Sequence, residues 1–227
     1  MKKLLFPSLL IAIIGLSACK SNNNNASPAP GYWGQMDVTI RTADSNFAFP
    51  IYDELAGAQF YTAPNAYFTK ILVTSVSVNG FNISDNGDSQ YVDQPGPGIE
   101  THALWMVNGA NGVPSLTYDD IGAFPKYIGP KLPDTINRAN GFTQNIPLVN
   151  IPGGETARIV LNEYGLYQSK ERDQAGNISF TAQELNSLQP GLNYMNLVIS
   201  KTNPQAFSGK QYVFVKERVY MSYVWVK

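Results

Sequence analysis

The sequence predicts an all-β fold, an antiparallel β-sandwich with one or two short helical turns. Three observations carry that expectation. Turn formers run through the whole chain, which has 19 Gly and 15 Pro and is rich in Asn, and each of these residues favours turn geometry for its own steric reason. Several segments alternate apolar and polar residues with the two-residue period of a half-buried strand. Helical patterns are few, while 13 Tyr and 11 Phe suit pleated surfaces. Charged residues make up 15% of the chain and the net charge is −1. The chain therefore lacks the charge excess of a disordered tail and the basic surface that neutralises phosphates, so no nucleic-acid partner is expected.

The first element is a leader. Lys2 and Lys3 form a positive start, and residues 4–16 are apolar except for Pro7, Ser8 and Gly15. That run is about 13 residues long, short of the roughly 20 that span a bilayer, and has the pattern of a secretory signal. It ends in Leu16-Ser17-Ala18-Cys19, which resembles the bacterial lipobox. The resemblance implies cleavage before Cys19, attachment of diacylglycerol to its thiol, and an added acyl chain, often palmitate, on the new amino terminus. Two or more chains anchor a protein stably without spanning the membrane. Cys19 is the only cysteine, so the exported chain builds no disulfide framework. Lys20 stands where an Asp would resemble an inner-membrane retention signal, which points to the outer membrane. The stretch Lys20-Ser21-Asn22-Asn23-Asn24-Asn25 lacks the acidic residues of surface-exported lipoproteins of the Bacteroidota, so the periplasmic and surface faces both stay open. Residues 20–34 read as a tether, with a reach of roughly 50 Å when fully extended.

Strand signals begin at residues 36–41, where Met36, Val38 and Ile40 alternate with polar residues. Residues 51–58 (IYDELAGA) read as a helical turn or two. Residues 70–78 (KILVTSVSV) are β-branched and end at Asn79-Gly80, a strong hairpin signal. Residues 103–107 (ALWMV) form a continuous apolar run, expected as a strand buried on both faces. Ala157, Ile159 and Leu161 share one side of the next strand, and Met195, Leu197 and Ile199 share one side of another. In residues 211–226 the odd positions Val213, Val215, Val219, Met221, Tyr223 and Trp225 are apolar, with Glu217 the exception. The charged run Lys216-Glu217-Arg218 is expected to mark a bend or bulge. Thr181-Ala182-Gln183-Glu184 is a capping box that opens a short helix bearing Leu185 and Leu188 on one face.

Leu188, Pro190, Gly191 and Tyr194 are spaced L-x-P-G-x-x-Y. That pattern resembles the tyrosine corner of fibronectin type III and other immunoglobulin-like sandwiches, and implies that fold with the Tyr194 hydroxyl pinning the crossover. The layout is then a signal peptide at 1–18, a lipidated Cys19 and tether at 19–34, and sandwich material at 35–227. A single expanded sandwich is the first choice, and two modules breaking near 130–145 are the alternative. Residues 93–147 carry Pro95-Gly96-Pro97-Gly98 and Gly129-Pro130 and read as long loops, which in compact domains are functional or mobile.

Chemistry has little material. The only His is His102, read as a strand-end imidazole with a structural hydrogen bond. No nucleophile elbow, phosphate loop, dinucleotide fingerprint or H-E-x-x-H is present, and one His with a lipidated Cys cannot ligate zinc in the usual way. No enzymatic activity and no cofactor are expected. Asp85 and Asp88, around Asn86-Gly87, are weak calcium candidates because hard cations take carboxylates. Asp119-Asp120 and Asp53-Glu54 are adjacent acids, and paired carboxylates across about 5–10 Å serve glycosidases. Trp105, Tyr118, Phe124, Tyr127 and Phe142 are aromatics in or near the loop-rich middle, and Trp105, Tyr118 and Tyr127 are the candidate ligand contacts. The expectation is a membrane-anchored, non-catalytic envelope lipoprotein binding a polysaccharide or an envelope protein through 93–147. The alternatives are an envelope hydrolase using paired carboxylates such as Asp119 and Asp120, and a structural, adhesin-like subunit that adds strands to partners along its long C-terminal strand.

Overall fold

A computed structural model describes residues 31–43, 52–64, 69–87, 89–94, 98–149, 155–163 and 166–227. The leader, Cys19, the tether as far as Pro30 and the calcium candidate Asp88 lie outside the described residues.

The chain forms β1 (Gly34–Ala43), β2 (Tyr52–Phe60), β3 (Ser75–Val78), β4 (Phe81–Ile83), β5 (Gln90–Asp93), β6 (Ala103–Asn108), β7 (Leu116–Asp120), β8 (Lys126–Tyr127) and β9 (Thr135–Ile136). A 3-10 turn (Arg138–Asn140) follows, then β10 (Phe142–Asn145), β11 (Leu148–Val149), β12 (Glu155–Glu163), β13 (Leu166–Glu171) and β14 (Asn177–Phe180). The chain closes with the helix α1 (Ala182–Leu185) and two long strands, β15 (Gly191–Phe207) and β16 (Lys210–Val226). The molecule is all-β, with its sheets packed as a sandwich.

The β15–β16 hairpin is the spine. Its two-residue turn places Ser208 at φ 51° and Gly209 at φ 75°, the positive-φ geometry that matches strand twist. Pairing then runs without a slip from Phe207↔Lys210 to Gly191↔Val226. The long sheet is ordered β13-β12-β15-β16-β1-β2-β5, with β9 also on β16. Most of its ladders are antiparallel, but the first strand, β1, runs parallel to the last, β16, and so does β9. Pro204 is tolerated because β12 pairs with β15 only as far as Lys201. Beyond that point, among the described residues, no strand of this sheet pairs with that side of β15 to miss the N–H.

The inner face of the long sheet carries two apolar clusters. The first joins Met36, Val38, Ile40, Ala56, Ala58, Phe60, Tyr212 and Phe214 to Val76, Val78, Trp105, Val107 and Leu116 of the sheet ordered β4-β3-β6-β7. The second joins Ala157, Ile159, Leu161, Met195, Leu197, Ile199, Val224 and Val226 to Ile178, Phe180, Leu185 and Leu188. The small ladders β10–β14 and β8–β11 lie over this second cluster through Phe142, Phe180, Tyr127 and Leu148. The alternating triplets read from the sequence at residues 36–40, 157–161 and 195–199 all point inward.

Several local expectations change. Residues 52–60 form a strand, not a helical turn, because nine consecutive register pairs with β1 outweigh local propensity. Only residues 75–78 of the 70–78 run are a strand, and Asn79-Gly80 turns with both φ positive, at 50° and 79°. β6 is buried on one face only, since Met106 is 47% exposed. The 93–147 segment is threaded by short strands and is not one long loop. No bulge interrupts β16 at Lys216-Glu217-Arg218, since its registers with β15 and β1 continue straight through.

What the charged run marks is the seam between the two inner clusters. Lys216 faces inward with its side chain 1% exposed, and its Nζ lies 3.1 Å from Asp120 Oδ1. The ammonium also donates to the carbonyls of Asp120, at 2.6 Å, and of Gly122. Arg218 pairs with Glu100 at 2.6 Å beside the ring of Phe124. Burial lowers the Lys216 pKa while Asp120 opposes that shift, so the charge is held by hydrogen bonds that replace its water.

Candidate aromatic binding face

Alternation puts every second residue of β15 and β16 on the outer face of the long sheet. Near the end of the hairpin opposite its turn, this face is aromatic. Leu192 stands directly opposite Trp225, Tyr194 opposite Tyr223, and Asn196 opposite Met221. Thr135 of β9 flanks Trp225 on the other side. Leu192 is 58% exposed, Trp225 51% and Tyr194 45%. Rows on one strand face repeat about every 6.8 Å, and neighbouring strands lie about 4.8 Å apart. The strip is thus a two-strand-wide shelf of ring faces.

The shelf is held by its own contacts. The Tyr194 and Tyr223 rings lie 5.0 Å apart at 40°. A hydrogen bond between the two hydroxyls is the main cause of the raised Tyr223 pKa, with burial second. Behind them, Asn196 Oδ1 is buried and has no hydrogen-bond partner among the described residues. It stands one row from the tyrosines and is closed off from solvent.

Further along the same face the side chains turn polar, and several of them, Thr39, Gln59 and Ser200 among these, are buried. Arg41 donates to both Asp53 oxygens, at 2.6 and 2.5 Å. Ser200 Oγ donates to Glu217 Oε2 at 2.7 Å, while burial raises the Glu217 pKa. Burial and the neighbouring Glu217 carboxylate push Asp37 up to about 7, although a hydrogen bond from Gln35 lowers it. Gly57 leaves the room that the Asp37 carboxyl needs, since a Cβ there would meet Oδ2 at 2.9 Å.

The residues singled out in the sequence fall elsewhere. Trp105 is 1% exposed in the first inner cluster and offers no ring face to solvent. Tyr118 packs its ring 4.2 Å from Phe214, and its hydroxyl accepts from Asn203. Tyr127 donates its backbone N–H to the Tyr220 hydroxyl at 3.1 Å and its own hydroxyl to the Pro130 carbonyl at 2.5 Å. Tyr127 and Tyr220 line a shallow cavity of about 220 Å³ with Thr42, Lys131, Leu132 and Met221. Phe124 is buried, and Phe142 stacks on Phe180 at 6.1 Å. These aromatics serve the core, so the loop-borne contact surface expected at 93–147 is not what they build.

The acids do not assemble either. Asp119 and Asp120 are successive on β7 and point to opposite faces. Asp120 holds Lys216 inside, while Asp119 Oδ1 lies outside, 3.2 Å from His102 Nδ1. Asp53 pairs with Arg41 on the outer face, whereas Glu54 turns inward and accepts from the Ile99 N–H at 3.2 Å. Neither pair flanks a common substrate. Asp85 bridges to Tyr91 in the backbone, and among the described residues no three metal-ligating side chains come together.

The corner also differs from its sequence reading. Tyr194 points outward, and Asn193, 2% exposed, ties the turn by donating to the carbonyls of Gln189 at 3.3 Å and Gly191 at 3.1 Å. The C-terminal strand lies inside the sheet between β15 on one side and β1 and β9 on the other, so it is not a free joining edge.

No family model and no curated protein matches the chain. Among solved structures, one described by the words "Ca2+-stabilized adhesin helps an Antarctic bacterium reach out and bind ice" is 10% identical, with a TM-score of 0.22, over 85% of this chain and 49% of that one. The chain spans about half the length of that structure, and the likeness is too slight to carry an argument about fold or function.

Proposed function

We propose that this chain is a lipid-anchored envelope protein that holds a polysaccharide, without catalysis, on the outer aromatic face of its long sheet. The observation that carries the reading is the row of outward rings, Tyr194, Tyr223 and Trp225, with Tyr194 and Trp225 exposed. Sugar rings present an apolar C–H face and a rim of hydroxyls, which suits a stacking surface that carries the tyrosine hydroxyls. Exposed apolar groups on a sheet that is already covered on its other side mark an interaction surface. The lipobox-like Leu16-Ser17-Ala18-Cys19 supplies the anchor in this reading.

Affinity electrophoresis of the full chain in gels containing glucan, galactomannan, xylan or polygalacturonate tests it. Retardation by at least one polymer, reduced tenfold or more (about 1.4 kcal/mol) by Trp225→Ala, is the expected result. Retardation that the Trp225→Ala and Tyr223→Ala variants retain in full overturns the assignment of the site.

A further inference from the structure

The aromatic end of the long sheet carries no formal charge where its rings stand. On β15 the outward positions Leu192, Tyr194, Asn196 and Val198 are uncharged, and so are Trp225, Tyr223, Met221 and Val219 opposite them on β16. The first charged group along this face of β16 is Glu217, eight residues from Trp225 (225 − 217), about 27 Å of strand at roughly 3.4 Å per residue. It is engaged there by Ser200 Oγ at 2.7 Å. Arg158 stands opposite Val198 on one side and Glu171 on the other, and its charge acts on Glu217. At the border formed by β9, Lys131 and Asp134 neutralise each other at 2.9 Å. Arg138 donates to the Leu188 carbonyl at 2.6 Å. Lys227, one position beyond β16, is the cation left at that border among the described residues.

Resting on the glycan reading above, we propose that the occupant of the shelf is a single, soluble, uncharged polysaccharide chain. The faces of aromatic rings carry the negative part of the ring quadrupole. They attract the C–H groups of a sugar and repel an anion. A carboxylate laid on them loses water without gaining a partner, and an acidic polymer brings such a group on every sugar or every second one. A polycation finds no carboxylate on the shelf to pair with. The rings also exclude a flat crystalline surface. Tyr194 and Tyr223 are centred 5.0 Å apart but tilted by 40°, so their faces do not share a plane. A chain whose successive sugars turn relative to one another meets both, whereas the face of a polymer crystal does not.

Isothermal titration of the full chain with soluble glucan, with galactomannan, with the carboxymethylated form of each, and with polygalacturonate tests the class. Each titration is run at about 20 and about 500 mM salt, which shortens the reach of a charge from roughly 20 Å to roughly 4 Å. Sedimentation with microcrystalline cellulose and with chitin tests the single chain. The expected result is binding to an uncharged polymer whose Kd changes less than about twofold with salt, at least about tenfold weaker binding to its carboxymethylated form, no change on Lys227→Gln, and no sedimentation with either crystal. The proposal is overturned by a tightest ligand that is charged and is released by salt, by a Lys227→Gln loss as large as that of Trp225→Ala, or by sedimentation with a crystalline polymer. Its failure and that of the glycan reading are separable. A charged polymer whose binding Trp225→Ala abolishes keeps the shelf and removes the class. Binding that Trp225→Ala and Tyr223→Ala both leave intact removes the shelf, and a chain that binds none of these polymers removes both.

Discussion

The two faces of β16 carry different kinds of side chain for different reasons. Inward lie Tyr212, Phe214, Lys216, Arg218, Tyr220, Ser222, Val224 and Val226; outward lie Val213, Val215, Glu217, Val219, Met221, Tyr223 and Trp225. By composition the outward set is the more apolar of the two, yet the inward set holds both clusters and the buried ammonium between them. The outward face of the four-stranded sheet is a useful control. There Ser75, Ser77, Asn82, Asn108 and Thr117 meet water and Met106 is the main apolar residue exposed. A sandwich layer of this protein does not need rings on its wet side to fold. The rings at Tyr194, Tyr223 and Trp225 therefore call for an explanation outside folding, and a ligand supplies one.

The contrast predicts that changes in the inward clusters unfold the protein and changes at the exposed end of the outer face, Leu192, Tyr194 and Trp225, do not; the outward Val213, Val215 and Val219 are themselves buried and belong with the structural set. The largest effect is expected from Lys216→Ala. It leaves the Asp120 carboxylate, 8% exposed, without its partner, and urea unfolding should show a loss of about 3–5 kcal/mol. Lys216→Met should lose less, because the methylene stem of the side chain remains packed at the seam. A loss below about 1 kcal/mol for the alanine would mean that the seam is not structural.

Asp37 tests the outward face by pH. Its folded pKa of about 7 lies above the ordinary 3.8, so the folded state holds its proton longer than the unfolded state. The corresponding stability is complete below about pH 4 and is lost as pH rises through 7. Asp37→Asn should therefore melt at a higher temperature than the wild type at pH 8, with the gap closing as pH falls toward 4. A gap that does not change with pH would remove the titration from the account.

Smaller effects follow at the helix and the shelf. Thr181→Ala removes the cap in which the hydroxyl accepts from the Glu184 N–H while the Glu184 carboxylate accepts from the Thr181 N–H. About 1 kcal/mol of stability should go with it. Trp225→Ala, half exposed, should cost under about 1 kcal/mol, and Met106→Ser on the control face should stay within about 0.5 kcal/mol. A Trp225→Ala loss as large as that of Lys216→Ala would erase the distinction between the faces.

Much of the frame was legible in the sequence. The period-two triplets at Met36, Val38 and Ile40, at Ala157, Ile159 and Leu161, and at Met195, Leu197 and Ile199 identified inward faces, because successive strand residues point to opposite sides of the sheet. The Asn79-Gly80 turn and the Thr181 capping box are local and needed no tertiary information. Residues 211–226 were harder. Both faces of that strand carry apolar groups, so alternation alone could not say which one met the core, and the charges at 216–218 looked like an interruption although they fill a gap between clusters. Residues 51–58 read as a helical turn or two because what makes residues 52–60 a strand is pairing with β1, which local sequence does not show. Tyr194 matched a corner motif, but Asn193 beside it has the amide that reaches the turn carbonyls. Trp105 stands in a loop-flanked apolar run and is buried, whereas Trp225, at the end of the long strand, is half exposed. The signal that could have located the face was the surplus of apolar residues on the odd positions of 213–225.

The central claim is that the outward rings of the long sheet bind a polysaccharide and do not hold the fold. Isothermal titration of the full chain with whichever soluble polymer retards it, for the wild type and a Tyr223→Ala, Trp225→Ala double variant, tests this most directly when thermal unfolding of both is measured in parallel. The account predicts saturable binding by the wild type, loss of that binding in the double variant, and melting temperatures within a few degrees of each other. Unchanged binding in a variant that melts at the same temperature would contradict it.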